Sequence, residues 1–432
     1  MGVYFGTDGI RGVVNNDLTF DTMYKCGNAL TQLREKPTIL IGRDTRNSGD
    51  MVSLAVASGA IIGGAKVIDV GVIPTAGVAY LTKVLECDYG IMISASHNPP
   101  EFNGIKIFDS NGYKLQDDAE YSIERKFIKT NIKDNSDIGT YSFAPSYVNC
   151  YIDYLVSLGA RLDGLKVVID GSNGASFSIA PKVFKMLGAK VYATNCKNNG
   201  DKINVNAGSL YPEILKRNVL KYKADIGFAF DGDADRIVAI DGNGEIYDGD
   251  KLIYILTKYF VKAGEDIKQV VGTALTNMGI ERALNDISVR LIRADVGDKY
   301  VLAEMIKNDC ILGGEQSGHI IALEYATTGD GLLAAVILSK IVKQSGNLSD
   351  IFDVEMYPQY STNIVVSDKL RIINSEALAI AIRQEQEALK SGRILVRASG
   401  TEPKIRIMVE CDDILVAKTV ATRIETIVKK IN

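Results

Sequence analysis

The chain has 432 residues, of which 46% are hydrophobic and 24% are charged, a composition typical of an ordinary globular protein with a sizeable core. Lys and Arg total 49 against 53 Asp and Glu, and no long basic run occurs. This charge balance argues against nucleic acid or an anionic membrane surface as a partner.

The longest plain apolar run, Leu332 to Leu338, is too short to span a bilayer, and no secretory signal pattern is present. The six cysteines occur singly, without a C-x-x-C motif. We therefore expect a cytoplasmic protein whose thiols are reduced.

Short apolar stretches alternate with helical patterns through most of the chain, which favours α/β architecture with largely parallel sheets. The predicted strands are 38–41, 66–70, 89–93, 165–170, 189–193, 226–230, 270–274, 289–292 and 311–312. Helices are predicted at 74–85, at 176–187 and from a Ser48 cap to Ile62. A charged stretch from Lys129 to Tyr141 is interpreted as a connection.

From about Pro358 the order changes to strands 364–366, 394–397 and 404–409 with helices 376–389 and 414–431. The pattern predicts three tandem α/β domains with mostly parallel mixed sheets, followed by a smaller C-terminal α+β domain. We place the domains at 1–147, 148–246, 247–357 and 358–432. Length alone would favour about three domains.

The first chemical motif lies between two buried strands, in the segment from Gly90 to Phe108. Its loop, S-A-S-H-N-P, places Ser96 beside one of only two histidines in the chain. A serine held by a rigid scaffold next to a histidine is a candidate nucleophile. The alternative is a polar turn broken at Asn98-Pro99.

The second motif, D-G-D-A-D-R, places Asp231, Asp233 and Asp235 at alternate positions beside a glycine. An EF-hand is rejected, because the sixth position is Arg236 and the twelfth is Gly242. Three carboxylates that leave open positions suit Mg²⁺, which completes its coordination with water and phosphate oxygens. A solvated acidic turn is the alternative.

Two further loops could grip a polar ligand. In G-G-E-Q-S-G-H, the side chains of Glu315, Ser317 and His319 alternate, so an extended loop would turn all three the same way. In R-A-S-G-T-E-P-K-I-R, backbone N–H groups, hydroxyls and arginines form a candidate phosphate site, although a plain hairpin loop is the alternative. A nucleophile, a Mg²⁺ site, a hydroxyl-binding loop and a phosphate clamp together indicate phosphoryl transfer to or from a sugar phosphate, in a central cleft between four domains.

These four loops resemble, in order, the signature loops of the α-D-phosphohexomutase superfamily, and the resemblance covers essentially the whole chain. The opening F-G-T-D-G-I-R-G and the turn S-G-T-E-P are most similar to bacterial members that act on glucosamine phosphates. The resemblance implies a mutase in which a phosphoserine donates its phosphate to a sugar monophosphate and recovers another from the bisphosphate. Interconversion of glucosamine 6-phosphate and glucosamine 1-phosphate, for UDP-N-acetylglucosamine synthesis, is the implied reaction.

The resemblance also implies roles for individual residues. Catalysis would involve Ser96, Arg11, Lys106 and His319, and Mg²⁺ would bind Asp231, Asp233, Asp235 and the Ser96 phosphate. The substrate would contact residues of the metal, sugar and phosphate loops: Arg236, Glu315, Ser317, Arg397, Ser399, Gly400, Thr401 and Arg406. A kinase or a sugar bisphosphate would first phosphorylate Ser96, and a homodimer is left open.

Two positions depart from the pattern of the resembled members. Ala234 stands where glycine is usual, which should be tolerated if the local backbone is not left-handed. Arg43 stands where a lysine is frequent, which leaves a phosphomutase of glucose or mannose phosphates as the alternative function. A relative that binds sugar phosphates without catalysis is a third reading, which the intact Ser96 and aspartates argue against.

Overall fold

The computed structural model describes residues 4–6, 8–128, 137–399 and 402–432. Within these residues the strands form four separate sheets of seven, five, four and three strands. Each sheet with its helices is called a unit here, numbered one to four along the chain. The predicted architecture of three α/β units and a smaller α+β unit is confirmed, while the boundaries at 147/148, 246/247 and 357/358 stay predictions.

The first unit is a mixed sheet with strand order β1-β2-β6-β5-β3-β4-β7. Its strands are β1 Phe5–Gly6, β2 Gly9–Val13, β3 Thr38–Arg43, β4 Lys66–Val72, β5 Tyr89–Ile93, β6 Phe102–Phe108 and β7 Thr140–Phe143, and its helices are α1 Phe20–Leu33, α2 Gly49–Ile62, α3 Thr75–Val84 and α4 Asp117–Ile128. Strands β3 and β5 are parallel neighbours. The loops that follow them therefore emerge at one edge of the sheet, where such folds bind ligands.

The second unit has strand order β12-β11-β10-β8-β9. It comprises α5 Val148–Leu158, β8 Lys166–Asp170, α6 Ile179–Met186, β9 Lys190–Thr194, α7 Pro212–Tyr222, β10 Ile226–Phe230, β11 Ile237–Asp241 and β12 Ile246–Tyr247. Strands β10 and β11 are antiparallel and fully buried, and the aspartate-rich loop joins them. Two buried strands thus fix both ends of that loop.

The third unit has strand order β14-β13-β15-β16, and the fourth has the antiparallel order β17-β19-β18. The third comprises α8 Gly249–Lys262, β13 Gln269–Thr273, α9 Met278–Asp286, β14 Arg290–Ala294, α10 Asp298–Lys307, β15 Leu312–Gly314, β16 Ile320–Ala322 and α11 Gly331–Ser345. The fourth comprises β17 Gln359–Val365, α12 Lys369–Ile373, α13 Glu376–Ala388, β18 Gly392–Ala398, β19 Lys404–Cys411 and α14 Ile414–Ile431.

One apolar core runs through the first three units, from Leu40 to Leu348, whereas the fourth unit has a core of its own between Ile364 and Val428. A contiguous core packs its members at fixed distances. The first three units therefore hold their loops rigidly against one another. None of the helices in the described ranges has the length and apolar character that a membrane span requires.

Two local predictions are wrong. Ser48 does precede α2, but its backbone is helical and its side chain caps nothing; its hydroxyl instead accepts a hydrogen bond from the Asn103 amide at 2.9 Å. The stretch interpreted as a connection ends in β7, which pairs with β4 through backbone bonds that its exposed side chains do not reveal. Residues 129–136 of that stretch lie outside the described residues.

Candidate active site

Ser96 lies in the loop after β5, at the edge of the first sheet that faces the second unit. Its side chain is buried, and its Oγ lies 2.6 Å from Oδ2 of Asp231 and 3.3 Å from Nδ1 of His97. Burial, followed by the positive charges of Arg236 and Arg11, lowers the pKa of His97 to about 4. His97 is therefore neutral near pH 7, and since the Ser96 hydroxyl donates to Asp231, its oxygen can accept a hydrogen bond from His97 in the tautomer that is protonated at Nδ1.

The three aspartates of the loop between β10 and β11 converge as the sequence predicts. One carboxylate oxygen of each of Asp231, Asp233 and Asp235 lies within 4.8 Å of the others, and all three residues are buried. Burial and the neighbouring carboxylates of Asp235 and Asp233 raise the pKa of Asp231 well above its usual range. A cation among these oxygens would relieve their mutual repulsion.

The donor set fits a hard divalent cation. Within the described residues, Oδ1 of Asp233 and Oδ1 of Asp235 are buried and accept no hydrogen bond. Buried carboxylate oxygens without partners are costly unless an ion coordinates them. Oxygen ligands are those that Mg²⁺ prefers, and the neighbouring Ser96 Oγ places a phosphorylated serine beside them.

The backbone of Ala234 is left-handed, so the condition under which alanine would be tolerated in place of glycine is not met. Its φ is 57°, in the left-handed region where a Cβ is unfavourable. Two backbone bonds hold it there, since its N–H donates to Asp231 and its carbonyl accepts from Gly331 at 3.1 Å. The loop therefore keeps the conformation that glycine would favour, at a cost of about 1 kcal/mol.

Lys106 is the principal positive charge beside the aspartates. Its Nζ lies 2.7 Å from Asp233, 3.1 Å from Asp235 and 3.0 Å from Asp8. Despite the opposing effect of burial, these carboxylates hold the pKa of Lys106 well above its usual range. Asp8 also pairs with Arg11, so it joins two of the predicted catalytic residues.

His319 is buried beside the cluster, directly before β16. Its Nε2 accepts a hydrogen bond from the Gly329 N–H at 3.1 Å, and its Nδ1 lies 3.8 Å from Asp235. Burial opposes protonation, but the carboxylates of Asp235 and Asp298 raise the pKa of His319. The first three units thus bring Ser96, Arg11, Lys106, His319 and the aspartates together.

The loop before β16 is not extended, contrary to the prediction. Gly318 N–H donates to the Glu315 carbonyl at 2.9 Å and Glu315 N–H donates to the His319 carbonyl at 3.0 Å, which closes a tight turn. Glu315 and His319 are therefore buried beside each other, while Ser317 is exposed at the tip. The error arose because the chain reverses between β15 and β16, a short strand that the sequence analysis missed.

Arg236 follows the aspartate loop, and its backbone pairs with that of His319 in a single antiparallel β-type contact. Its backbone N–H donates to Oδ1 of Asp231 at 3.2 Å, and its Nε lies 4.0 Å from Asp235. The side chain is about one quarter exposed, at 23%. The residue therefore supports the aspartate loop through its backbone, while its Nε is buried and has no hydrogen-bond partner among the described residues.

The predicted phosphate clamp lies in the fourth unit, between β18 and β19. Arg397 and Arg406 are directly opposite in these strands, and Nη2 of Arg406 lies 3.4 Å from Oγ of Ser399. Burial and then Arg406 lower the pKa of Arg397, while Asp295 and Glu315 of the third unit oppose that shift. Arg397 is therefore within electrostatic reach of Glu315 in the predicted sugar-binding loop. Gly400 and Thr401 lie outside the described residues.

The sequence analysis missed an ion bridge across the site. Lys114 of the first unit pairs with Asp8 at 2.6 Å and with Asp298, which begins α10 in the third unit. Asp298 in turn lies 3.9 Å from Nε2 of His319. No local pattern marks these residues; only the position of Asp298 after Gly297, at a helix start beyond a strand, could have singled it out.

Four family models match the chain in succession. They are the phosphoglucomutase/phosphomannomutase alpha/beta/alpha domains I, II and III, at residues 2–133, 147–244 and 248–359, and the C-terminal domain, at 362–427. Similar curated proteins include the phosphoglucosamine mutases of Brevibacillus brevis and of Thermoanaerobacter sp. The first is 44% identical over 100% of this chain and 99% of its own, and the second is 46% identical over 96% of each.

A similar solved structure is that of Aspergillus fumigatus N-acetylphosphoglucosamine mutase in complex with GlcNAc-6P and magnesium, with a TM-score of 0.71. It is 17% identical, over 100% of this chain and 96% of its own, so it shows the shared fold alone. The family models and the two bacterial relatives carry the assignment. This chain belongs to the α-D-phosphohexomutase superfamily of isomerases, among its bacterial phosphoglucosamine mutases.

Proposed function

We propose that the enzyme interconverts glucosamine 6-phosphate and glucosamine 1-phosphate through a phosphoserine at position 96. The observation that carries the proposal is the contact between Ser96 Oγ and Asp231, at 2.6 Å, inside a cluster of three buried carboxylates. The proposed substrate class follows the printed names of the bacterial relatives, at 44% and 46% identity. The product would serve UDP-N-acetylglucosamine synthesis.

In the proposed reaction, phosphorylated Ser96 transfers its phosphoryl group to the free hydroxyl of the sugar monophosphate. The bond from phosphorus to the serine oxygen breaks, a bond to the sugar oxygen forms, and the hydroxyl proton leaves to a base. The resulting bisphosphate reorients in the site and returns its other phosphoryl group to Ser96. Such transfer depends on positioning and charge stabilisation rather than on covalent chemistry by other side chains.

The residues around Ser96 supply that positioning and charge. Lys106 and Arg11 are buried or half-buried cations that stabilise the equatorial phosphoryl oxygens. His319 carries its proton on Nδ1, because Nε2 accepts the Gly329 N–H, so it is placed to hold or donate a proton at Nδ1. Asp231, Asp233 and Asp235 would hold Mg²⁺, which when bound supplies positive charge to the transferring group.

Substrate binding would combine two loops. Glu315 and Ser317 would bind sugar hydroxyls or the ammonium group, with Arg236 beside them. Arg397, Ser399 and Arg406, with Gly400 and Thr401, would bind the phosphate that is not reacting. A kinase or a sugar bisphosphate would supply the first phosphate of Ser96.

The departure at Arg43 does not favour hexose phosphates. Its guanidinium is committed to Asp69 at 2.8 Å and Asp50 at 2.7 Å. Both partners belong to the first unit and neither is a predicted site residue. We therefore keep the glucosamine phosphate proposal and let a substrate panel decide.

Two measurements test the proposal. Intact-mass analysis should show a phosphorylated fraction that Ser96→Ala loses together with nearly all turnover; activity of the variant near that of the wild type would refute the serine, and Ser94 would be examined next. In a substrate panel, kcat/KM for glucosamine 6-phosphate should exceed that for glucose 6-phosphate by at least an order of magnitude. Equal or reversed values would make the enzyme a hexose phosphomutase.

A further inference from the structure

One buried guanidinium gathers the backbone of the loop that carries Ser96. Arg46 lies after β3, beside that loop, and its side chain is fully buried. Its Nη2 donates to the carbonyls of Ser96 and Asn98 at 2.9 and 2.8 Å. Its Nη1 donates to the carbonyls of Phe102, at 2.9 Å, and Pro99.

The remaining donor completes the arrangement. Nε of Arg46 donates to Oδ2 of Asp44 at 2.9 Å, so all five N–H groups of the guanidinium have an acceptor. Asp44 also accepts the Ser94 hydroxyl at 2.6 Å, and Ser94 Oγ accepts the Ser96 N–H at 2.9 Å. Arg46 and Asp44 therefore hold the backbone of Ser96 from both sides, through its carbonyl and its N–H.

Ser96 requires such support because its backbone is strained. Its φ is 50°, in the left-handed region that residues with a Cβ adopt only when their surroundings impose it. This conformation turns Oγ toward Asp231 of the second unit. A relaxed backbone would move Oγ away from the aspartates.

A second residue shares the same acceptors from the other side of the cleft. The Asn204 side-chain amide of the second unit donates to the carbonyl of Ser96 at 2.8 Å and to that of Asn98 at 3.1 Å. Two donors from different units thus converge on the two carbonyls that flank His97. Their geometry fixes the loop relative to the aspartates as well as to its own sheet.

We propose that Arg46 is a positioning residue for the phosphoryl-transfer step, assisted by Asn204, and that it acts by imposing the left-handed backbone of Ser96. The inference rests on the proposed role of Ser96 as the nucleophile. Lysine cannot replace Arg46, because an ammonium has three donors and no planar fork. At least two of the five acceptors would lose their bond from residue 46, and the loop would relax.

The test compares Arg46→Lys with Arg43→Lys, which makes the same change three residues earlier at an arginine bound to Asp50 and Asp69. A displacement of about 1 Å costs about 100-fold in rate. We expect the single-turnover rate from phosphorylated enzyme to glucosamine 6-phosphate to fall about 100-fold in Arg46→Lys, with KM within about twofold. In Arg43→Lys both values should stay within about twofold of wild type.

Circular dichroism and thermal unfolding accompany each variant. If Arg46→Lys does not fold, Asn204→Ala decides: we expect about a tenfold fall in the single-turnover rate without a change in KM, since one of two donors to each carbonyl is lost. If Arg46→Lys folds and its single-turnover rate is unchanged, the positioning role is refuted. If Arg46→Lys does not fold, an unchanged single-turnover rate in Asn204→Ala refutes it. Equal losses in the Arg46 and Arg43 variants do the same.

The proposed function fails by a different result. If wild-type protein carries no phosphate on Ser96, or if Ser96→Ala turns over normally, the serine is not the nucleophile. If Ser96→Ala is inactive while Arg46→Lys transfers phosphate at the wild-type rate, the function stands and the positioning role is refuted.

Discussion

Replacing Lys106 by methionine tests whether this lysine balances the charge of the aspartate cluster. Its ammonium lies between Asp233, Asp235 and Asp8, and both the lysine and the two loop aspartates are buried. Methionine keeps a chain of similar length and removes the charge. The three carboxylates would then be left without their nearest common cation.

The expected cost follows from the burial. Removing one partner of a buried ion pair destabilises a protein by about 3–5 kcal/mol, because an uncompensated charge remains inside. For a cooperatively unfolding protein of this size, a loss of about 1 kcal/mol in the free energy of unfolding lowers the melting temperature by about 2 °C. The melting temperature of Lys106→Met should therefore fall by roughly 6–10 °C. Mg²⁺ would replace part of the missing charge, so it should raise the melting temperature of the variant more than that of the wild type.

The matched control is Lys258→Met. Lys258 pairs with Asp353 at 2.9 Å, but the two side chains are 32% and 67% exposed, so the loss should be at most about 1 kcal/mol. Both variants are followed by thermal unfolding with EDTA and with excess Mg²⁺. If Lys106→Met melts at no lower temperature than Lys258→Met in EDTA, or if Mg²⁺ raises its melting temperature no more than that of the wild type, Lys106 does not balance the charge of the aspartates.

Four further outcomes are expected. Arg397→Ala should lower kcat/KM about 10- to 150-fold, which corresponds to a loss of roughly 1.5–3 kcal/mol in phosphate binding. Arg423→Ala, which removes the ion pair with Glu385 in the same unit, should leave kcat/KM unchanged. An unchanged kcat/KM in Arg397→Ala would mean that the phosphate binds elsewhere. EDTA should abolish activity and Mg²⁺ restore it with an unchanged circular dichroism spectrum, and unfolding in EDTA would mean a structural metal. Ala234→Gly should raise stability by about 1 kcal/mol, because φ is 57°, and a lower melting temperature would contradict this reading of the strain. Burial raises the pKa of Asp330 from 3.8 to about 6, so the contribution of Asp330 to stability is fully present below pH 3.8 and is lost as the pH rises through 6. The melting temperature of Asp330→Asn relative to wild type should therefore rise between pH 4 and pH 7, by the equivalent of about 3 kcal/mol at most. A difference that stays constant with pH would refute the pKa shift.

The features that the sequence predicts correctly are local. The strands around the Ser96 loop and the aspartate loop are marked by apolar runs, and the chemistry of each loop is written in consecutive residues. Convergence of Asp231, Asp233 and Asp235 follows from their spacing around a tight turn. For such features the chain neighbours are also the spatial neighbours, so pattern and chemistry suffice.

The features that the sequence does not predict depend on contacts between distant residues. The turn at Glu315 closes because β16 folds back on β15, and the left-handed Ala234 is held by a bond from Gly331, almost a hundred residues away. The same is true of Lys114, whose partners are Asp8 and Asp298. Each of these residues has an unremarkable local sequence, and its role comes from the element packed against it.

The attachment of the fourth unit shows how this division of contacts suits the proposed reaction. Its own core is separate, and it meets the third unit through polar contacts: Arg393 donates to the carbonyls of Ala274 and Thr276 at 2.7 and 2.6 Å, and Glu410 accepts the Met278 N–H at 2.8 Å. Hydrogen bonds between the units can be replaced by hydrogen bonds to water at a small net cost in free energy, whereas exposing packed apolar surfaces to water costs much more. The distances among the first three units are therefore fixed by packing, while the predicted phosphate clamp is attached through hydrogen bonds that can break and re-form. The proposed reaction, in which a bisphosphate presents either phosphate to Ser96, would need this combination of a rigid reaction centre and an adjustable clamp.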